Sequence, residues 1–261
     1  MRNLKKKNTL LIDADITVHK LSIICEETIC WSESQELYSK FGDLKKAKAL
    51  FRQTIDKYVE QLGGMEVVLA LSPRRNFRHD LNPDYKANRK KTVKPMIYKE
   101  LREWACSEYA SVCWENVEAD DVLGVLAKSH TLPAPKIVVS DDHDMLGVPC
   151  LLYQPLHPER GLQRITYKAA ERYHLYQTLM GDSGDGYPGL PGVGPKRAEE
   201  ILKEGLWEEV VEAYTKRGLE EEDALLQARM AKILTPSLYD QKTKQLKLWK
   251  PRRTKCLKTQ K

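Results

Sequence analysis

At 261 residues, 41% of them hydrophobic and 31% charged, the chain is long enough for one large α/β domain, or for a core that carries a smaller subdomain. Its six cysteines (Cys25, Cys30, Cys106, Cys113, Cys150, Cys256) lack CxxC spacing and a nearby histidine pattern, which argues against a zinc site and a disulfide framework and points to a reducing cytoplasm. The opening MRNLKKKNTLLIDAD carries an apolar run of about four residues ending in an acid, unlike a signal peptide or a membrane span, so no membrane partner is expected.

In chain order, Thr9 to Ile12 reads as a short buried strand running directly into Asp13-Ala14-Asp15, the position at which α/β folds place chemistry. Apolar residues from Asp43 to Leu62 repeat at helical spacing, and Gly63-Gly64 stops the helix. Met65 to Leu71 predicts a second strand. Asn82-Pro83 marks a turn, followed by a basic segment in which Pro95 stands at a helix start. Glu118 to Ser129 predicts a helix, and Lys136 to Ser140 a third strand ending in Asp141-Asp142-His143-Asp144. Thr166 to Met180 predicts another helix before Gly181-Asp182-Ser183-Gly184-Asp185, with helical patterns continuing to about Leu234 and a basic, disordered tail from Lys250 to Lys261. Strands separated by helices imply a mostly parallel central sheet flanked by helices, with its site at one edge.

Carboxylates gather at those strand ends and helix starts. Glu118 and Asp121 are one helical turn apart, with Asp120 beside them; Asp182 and Asp185 repeat that spacing. Asp142 and Asp144, two apart after a strand, would point the same way from an extended stretch, and His143 would point away from both. Any one cluster, taken alone, reads more readily as capping residues than as a site. Together they suit Mg²⁺ or Mn²⁺, hard ions that prefer oxygen ligands, two of which can serve phosphodiester hydrolysis.

The formal net charge is only +6, but the cations are segregated. Arg74 to Arg102 holds ten of them, including Lys86, Arg89, Lys90 and Lys91 beside Tyr85. A solvated basic helix is the plain alternative; the place of this segment between acidic clusters favours phosphate contact. Lys86 and Arg89 are expected to neutralise a reacting phosphate, and Tyr85 to stack on a terminal base. In Gly189-Leu190-Pro191-Gly192-Val193-Gly194-Pro195-Lys196-Arg197, the glycines Gly189, Gly192 and Gly194 open a helix and expose N–H groups to a phosphate backbone, with Lys196 and Arg197 adding charge.

The motifs LLIDAD (10–15), NPDYKANRKK (82–91), VEADDVLGV (117–125), VVSDDHDML (138–146), GDSGDGYPGLPGVGPKRA (181–198), QARMAKIL (227–234) and LWKP (248–251) occur in the order of the flap-endonuclease and 5′-nuclease superfamily. The chain resembles that superfamily over nearly its whole length, and most of all the 5′-to-3′ exonucleases of T-odd podophages. The resemblance implies a two-ion centre at Asp13, Glu118, Asp120, Asp121, Asp142, Asp144, Asp182 and Asp185. It implies phosphate-facing cations at Lys86 and Arg89, a stacking aromatic at Tyr85, and a helix-hairpin-type element at Gly189 to Lys196 that can also hold a potassium ion. The expected organisation is a nuclease core over 1–165 with a basic arch near 74–102, a helical DNA-binding region over 166–250 and a basic tail over 251–261. The expected activity is two-metal, 5′-to-3′ hydrolysis of duplex DNA with free 5′ ends, flaps or nicks. RNA–DNA hybrids would be a further substrate, for a monomer in a phage host's cytoplasm. One departure stands out: superfamily members usually carry another Asp at the end of the second strand, where this chain reads Leu71-Ser72-Pro73 and offers at best a hydroxyl or a water-mediated contact. Two competing readings are a DNA-binding protein of this fold without catalysis and a nuclease for structured RNA.

Overall fold

The protein is described here by a computed structural model covering residues 8–252. Its centre is β1 (Asn8–Asp13), whose Leu10, Leu11 and Ile12 are fully buried because both faces of the strand are covered, as in parallel sheets. The chain continues through α1 (Ala14–Ile24), β2 (Glu26–Ser32), β3 (Leu37–Gly42), α2 (Leu44–Leu62), β4 (Gly64–Ala70), α3 (Arg78–Leu81), α4 (Tyr98–Glu108), β5 (Ala110–Val112), α5 (Ala119–Lys128), β6 (Lys136–Val139), β7 (Leu151–Tyr153) and β8 (Gln163–Arg164). Four helices complete it: α6 (Tyr167–Met180), α7 (Pro195–Ile201), α8 (Trp207–Thr215) and α9 (Glu221–Ala231).

The sheet order is β5-β4-β1-β6-β7-β8, parallel except for β8. The chain leaves β1 for β4 on one side and later returns to β6 on the other, so the carboxyl end of β1 is a switch point where a crevice opens. One apolar layer joins Leu10 and Ile12 to Phe51 of α2 and Leu101 of α4. The opposite layer joins Leu11 to Val122 and Leu123 of α5 and to Ile233 and Leu234. Gly124 permits that second layer: a Cβ there would stand 2.4 Å from the Leu234 carbonyl oxygen. Helices α6 to α9 enclose a third core around Leu179, Val210 and Tyr214.

The predicted α2 forms with Asp43 accepting the Lys46 N–H at its start and Gly63 in the left-handed region (φ 65°) at its end. Elsewhere the structure departs from the sequence reading. The hairpin β2–β3 was not expected, because most of its side chains are exposed on both faces and no buried alternation marks it. The basic segment is also not the solvated helix given as the plain alternative: Lys86 is left-handed (φ 54°), Ala87–Lys91 is a 3-10 turn, and α4 begins at Tyr98. Of the predicted basic tail, residues 253–261 lie outside the described residues. Among the described residues no helix is long and apolar enough to cross a membrane.

Candidate metal centre

Asp13 ends β1 and caps α1: Oδ1 accepts the Ile16 N–H (3.2 Å) and Oδ2 the Ser140 hydroxyl (3.0 Å). Burial, then the charge of Asp15, pushes its carboxyl up to about 7. Across the switch point Asp142 follows β6, takes the Asp144 N–H on its own Oδ1 (2.8 Å), and so folds residues 143–147 into a 3-10 turn. Asp144 is pinned by the Gln177 amide of α6 and is likewise pushed to about 7, by burial and then by Asp142. Asp120, in the first turn of α5, lies among these groups. Its Oδ1 is buried without a hydrogen-bond partner, and its carboxyl is held well above the carboxylate range by burial and by Asp142, Asp13, Asp144 and Glu118.

Asp13, Asp120, Asp142 and Asp144 thus crowd their charges in a buried setting, with the His143 ring against two of them. All their free atoms are hard oxygens, one of them buried and unpartnered, which fits a divalent cation: its charge would relieve the repulsion and the desolvation together.

Glu118 and Asp185 are neutralised differently. The Lys86 ammonium donates to Glu118 Oε1 (2.7 Å) and lies 3.4 Å from Asp185 Oδ2, while Arg89 donates to Asp185 Oδ1 (2.7 Å). Burial acts to raise the Glu118 pKa, but Arg78 and Lys86 outweigh it and the group stays below its ordinary value. Burial opposes the charge on Lys86, yet Glu118 and Asp185 hold its pKa up, so a cation is fixed beside the four acids. Asp182 accepts the N–H groups of Gly184 (2.7 Å) and Asp185 (3.2 Å); with the His143 ring, which has the largest influence, they lower it to about 2.

Several expectations are corrected. Asp121 does not join the facing acids: it is fully buried, bound by both Arg78 terminal nitrogens (2.7 and 3.0 Å), and accepts the N–H groups of Leu234 and Glu118. Tyr85 offers no open face for a base. It is 1% exposed, and its hydroxyl lies 2.6 Å from Glu118 Oε2 and 2.9 Å from Asp185 Oδ2, so its single proton links the two acidic segments. Gly189 is buried and donates its N–H to Gln227 (3.0 Å); a Cβ there would stand 2.3 Å from the Gly181 nitrogen, so this glycine serves packing. Gly192, Gly194, Lys196 and Arg197 are exposed, and Arg197 pairs with Glu200 (2.8 Å). The side chains of Lys90 and Lys91 lie outside the described residues. His143 does not point away from the acids: the tight turn brings Nε2 within 3.3 Å of both Asp144 and Asp182, and Nδ1 within 3.6 Å of Asp142. The Ser72 hydroxyl accepts the Ala119 N–H (2.9 Å), and its own N–H holds Asp15 (2.7 Å) at the end of β4.

The sequence reading missed Arg78, one cation among ten. It is 2% exposed and joins α3 to Glu118 and Asp121 of the α5 start and to the carbonyls of Met230 and Lys232. Arg78→Met would leave Asp121 buried without a counter-charge, a loss of about 3–5 kcal/mol. The melting temperature should fall by roughly 10 °C. Thermal denaturation checks this, and adding Asp121→Leu should cost less than the sum of the two single changes.

An open α/β sheet that gathers buried carboxylates at its switch point, beside a fixed lysine, has a donor set that fits divalent ions and phosphodiester chemistry. Residues 9–153 match the family described as 5′-3′ exonuclease, N-terminal resolvase-like domain, and the chain belongs to that family. It is 29% identical over 94% of both chains to the exodeoxyribonuclease of Enterobacteria phage T3. The fold is similar to that of T5 5′-exonuclease with bound zinc (TM-score 0.67, 16% identity, 86% of this chain and 89% of that one). It is also similar to that of the bacteriophage T5 flap endonuclease in a pseudo-enzyme-product complex with DNA and metal ions (TM-score 0.63, 16% identity, the same coverage).

Proposed function

We propose that the protein hydrolyses duplex DNA from free 5′ ends, nicks and flaps, leaving 5′-phosphates, with RNA in hybrids as a further substrate. The observation that carries this reading is the group Asp13, Asp120, Asp142 and Asp144, crowded in a buried setting beside Lys86. These four acids, with Glu118, Asp182 and Asp185 at the margins, would hold two Mg²⁺ or Mn²⁺ ions, which supply Lewis-acid charge for the displacement. Lys86 and Arg89 face the phosphate and stabilise charge that grows on its oxygens. Tyr85 keeps Glu118 and Asp185 in register, and Arg78 fixes the start of α5 on which Glu118 and Asp120 ride.

The exposed turn around Gly192 and Gly194, with Lys196 and Arg197, would grip duplex backbone away from the reaction and take a potassium ion there. On this reading residues 1–165 form the nuclease core and 166–250 the DNA-binding region. The enzyme works as a monomer in the cytoplasm of a phage-infected cell. A protein of this fold that only bound DNA would have no need of acids held at such cost. An end-dependent enzyme should degrade linear and nicked duplex in Mg²⁺ and leave covalently closed circles intact. Gel analysis of the three substrates, with and without chelator, checks this; equal rates on closed and nicked circles would replace the reading with a non-specific endonuclease, and cleavage only of folded RNA would replace it with an RNA nuclease.

A further inference from the structure

We infer that His143 is a nitrogen ligand of the ion held on the Asp142, Asp144 and Asp182 side of the centre, and that this position therefore selects Mn²⁺, Co²⁺ or Zn²⁺ over Mg²⁺. The inference rests on the proposed metal-dependent function and adds to it the chemical identity of one ion. Carboxylates alone would favour hard ions; an imidazole among them shifts preference toward borderline transition metals.

The local backbone brings the nitrogen to the acids. Asp142 Oδ1 accepts the Asp144 N–H, and the resulting 3-10 turn swings residue 143 onto the side occupied by its neighbours. The ring then meets carboxylates from two separate segments, Asp142 and Asp144 after β6 and Asp182 after α6. One ligand atom each from Asp142, His143 and Asp144 lies within 4.8 Å of the others. Adjacent ligands of a six-coordinate ion with bonds of about 2.1 Å are about 3 Å apart. The 3.3 Å from Nε2 to Asp144 and to Asp182 need close only slightly around an ion. Neither neighbour is used up by the protein. The ring meets Asp182 Oδ2, which is free of the backbone contacts that engage Oδ1, and Asp144 Oδ1, which also accepts from Gln177 and so keeps one lone pair for an ion. The ring itself is 60% exposed, so ions and water reach it. A ring that carries both protons releases one on ligation, so uptake of the ion is accompanied by proton release.

The test is calorimetric titration of the full-length protein, without DNA, with MnCl₂ and separately with MgCl₂, for the wild type, His143→Gln and His143→Ala. The wild type is expected to bind Mn²⁺ at least about tenfold more tightly than Mg²⁺. Each variant should lose about tenfold in Mn²⁺ affinity, the lower end of what losing even an outer partner of a ligand costs, and less than about twofold for Mg²⁺. With CoCl₂, the ring nitrogen signals of ¹⁵N-labelled histidine should show one strongly shifted ring in the wild type that vanishes in both variants. An unchanged Mn²⁺ to Mg²⁺ ratio would overturn the assignment. So would tighter binding of both ions by the variants, which would mean that the ring is a protonated counter-ion competing with the metal. Failure of the wild type to bind either ion would instead remove the metal-dependent reading, and this ligand with it.

Discussion

Asp120→Asn is expected to abolish DNA cleavage, by more than about 10³-fold, well beyond the 10–100-fold cost of losing an outer-shell partner. DNA binding should persist, since the exposed cations at Arg89, Lys196 and Arg197 are untouched. The same substitution should stabilise the ion-free protein. The raised pKa values of Asp13 and Asp144 (about 7) and of Asp120 mean that the folded chain binds more protons than the unfolded one between about pH 4 and 7 and above. Stability must then fall as pH rises across that window. Asn at 120 mimics the protonated acid, removes one buried charge and relieves its neighbours, so the variant should melt higher than the wild type at pH 8 and about equally at pH 5. A divalent ion at about 100 times its dissociation constant should raise the wild-type melting temperature at pH 8 by roughly 5–10 °C and the variant's by far less. Single-turnover cleavage assays and thermal melts with and without ion measure both sides. Cleavage near wild-type rates, or a variant destabilised in the absence of ion, would remove Asp120 from the centre. Asp142→Asn should behave alike in cleavage.

Lys86→Ala and Lys196→Ala should fail in different ways. Lys86 is anchored by Glu118 and Asp185 next to the acids, so its charge is prepaid in position and acts chiefly on the transition state. Its loss should lower kcat by roughly 10²-fold, as removal of a preorganised donor does, with DNA affinity little changed. Lys196 is exposed at the start of α7, and its loss should weaken binding across all sequences while kcat at saturating DNA stays nearly constant. Its salt dependence should drop by about one phosphate contact. Single-turnover rates at saturating enzyme, with binding titrations over a salt series in Ca²⁺, separate the two. The reverse pattern would exchange the roles assigned to the two segments.

The sequence carried the three central strands of the sheet and its edge, for a physical reason, whereas β5, β7 and β8 are too short to leave a readable run. Strands β1, β4 and β6 are buried on both faces and read as apolar runs, and the acids that end or follow two of them, with those that open α5, fall at the switch point by topology alone. What it could not carry were contacts made across long separations. Asp121 looked like its neighbour Asp120 until Arg78, 43 residues earlier, claimed both its oxygens. Tyr85 looked like an exposed aromatic in a basic run, but its hydroxyl meets partners 33 and 100 residues away. Gly189 looked like a phosphate-binding glycine, and its N–H is taken by Gln227. His143 was misplaced for a local reason: the alternation rule assumes an extended strand, and Asp142 turns the chain instead. The hairpin β2–β3 was missed because a strand pair without a buried face leaves no period in its sequence.

The central claim is that Asp13, Asp120, Asp142 and Asp144 hold the ions on which hydrolysis depends. Anomalous diffraction from crystals grown with MnCl₂ and a 5′-phosphorylated DNA product tests it most directly. Two manganese peaks about 4 Å apart within that group of carboxylates, with the product phosphate between them and Lys86, are the result expected. Manganese found only at exposed acids such as Glu159, with the four carboxylates bare beside bound DNA, would contradict it.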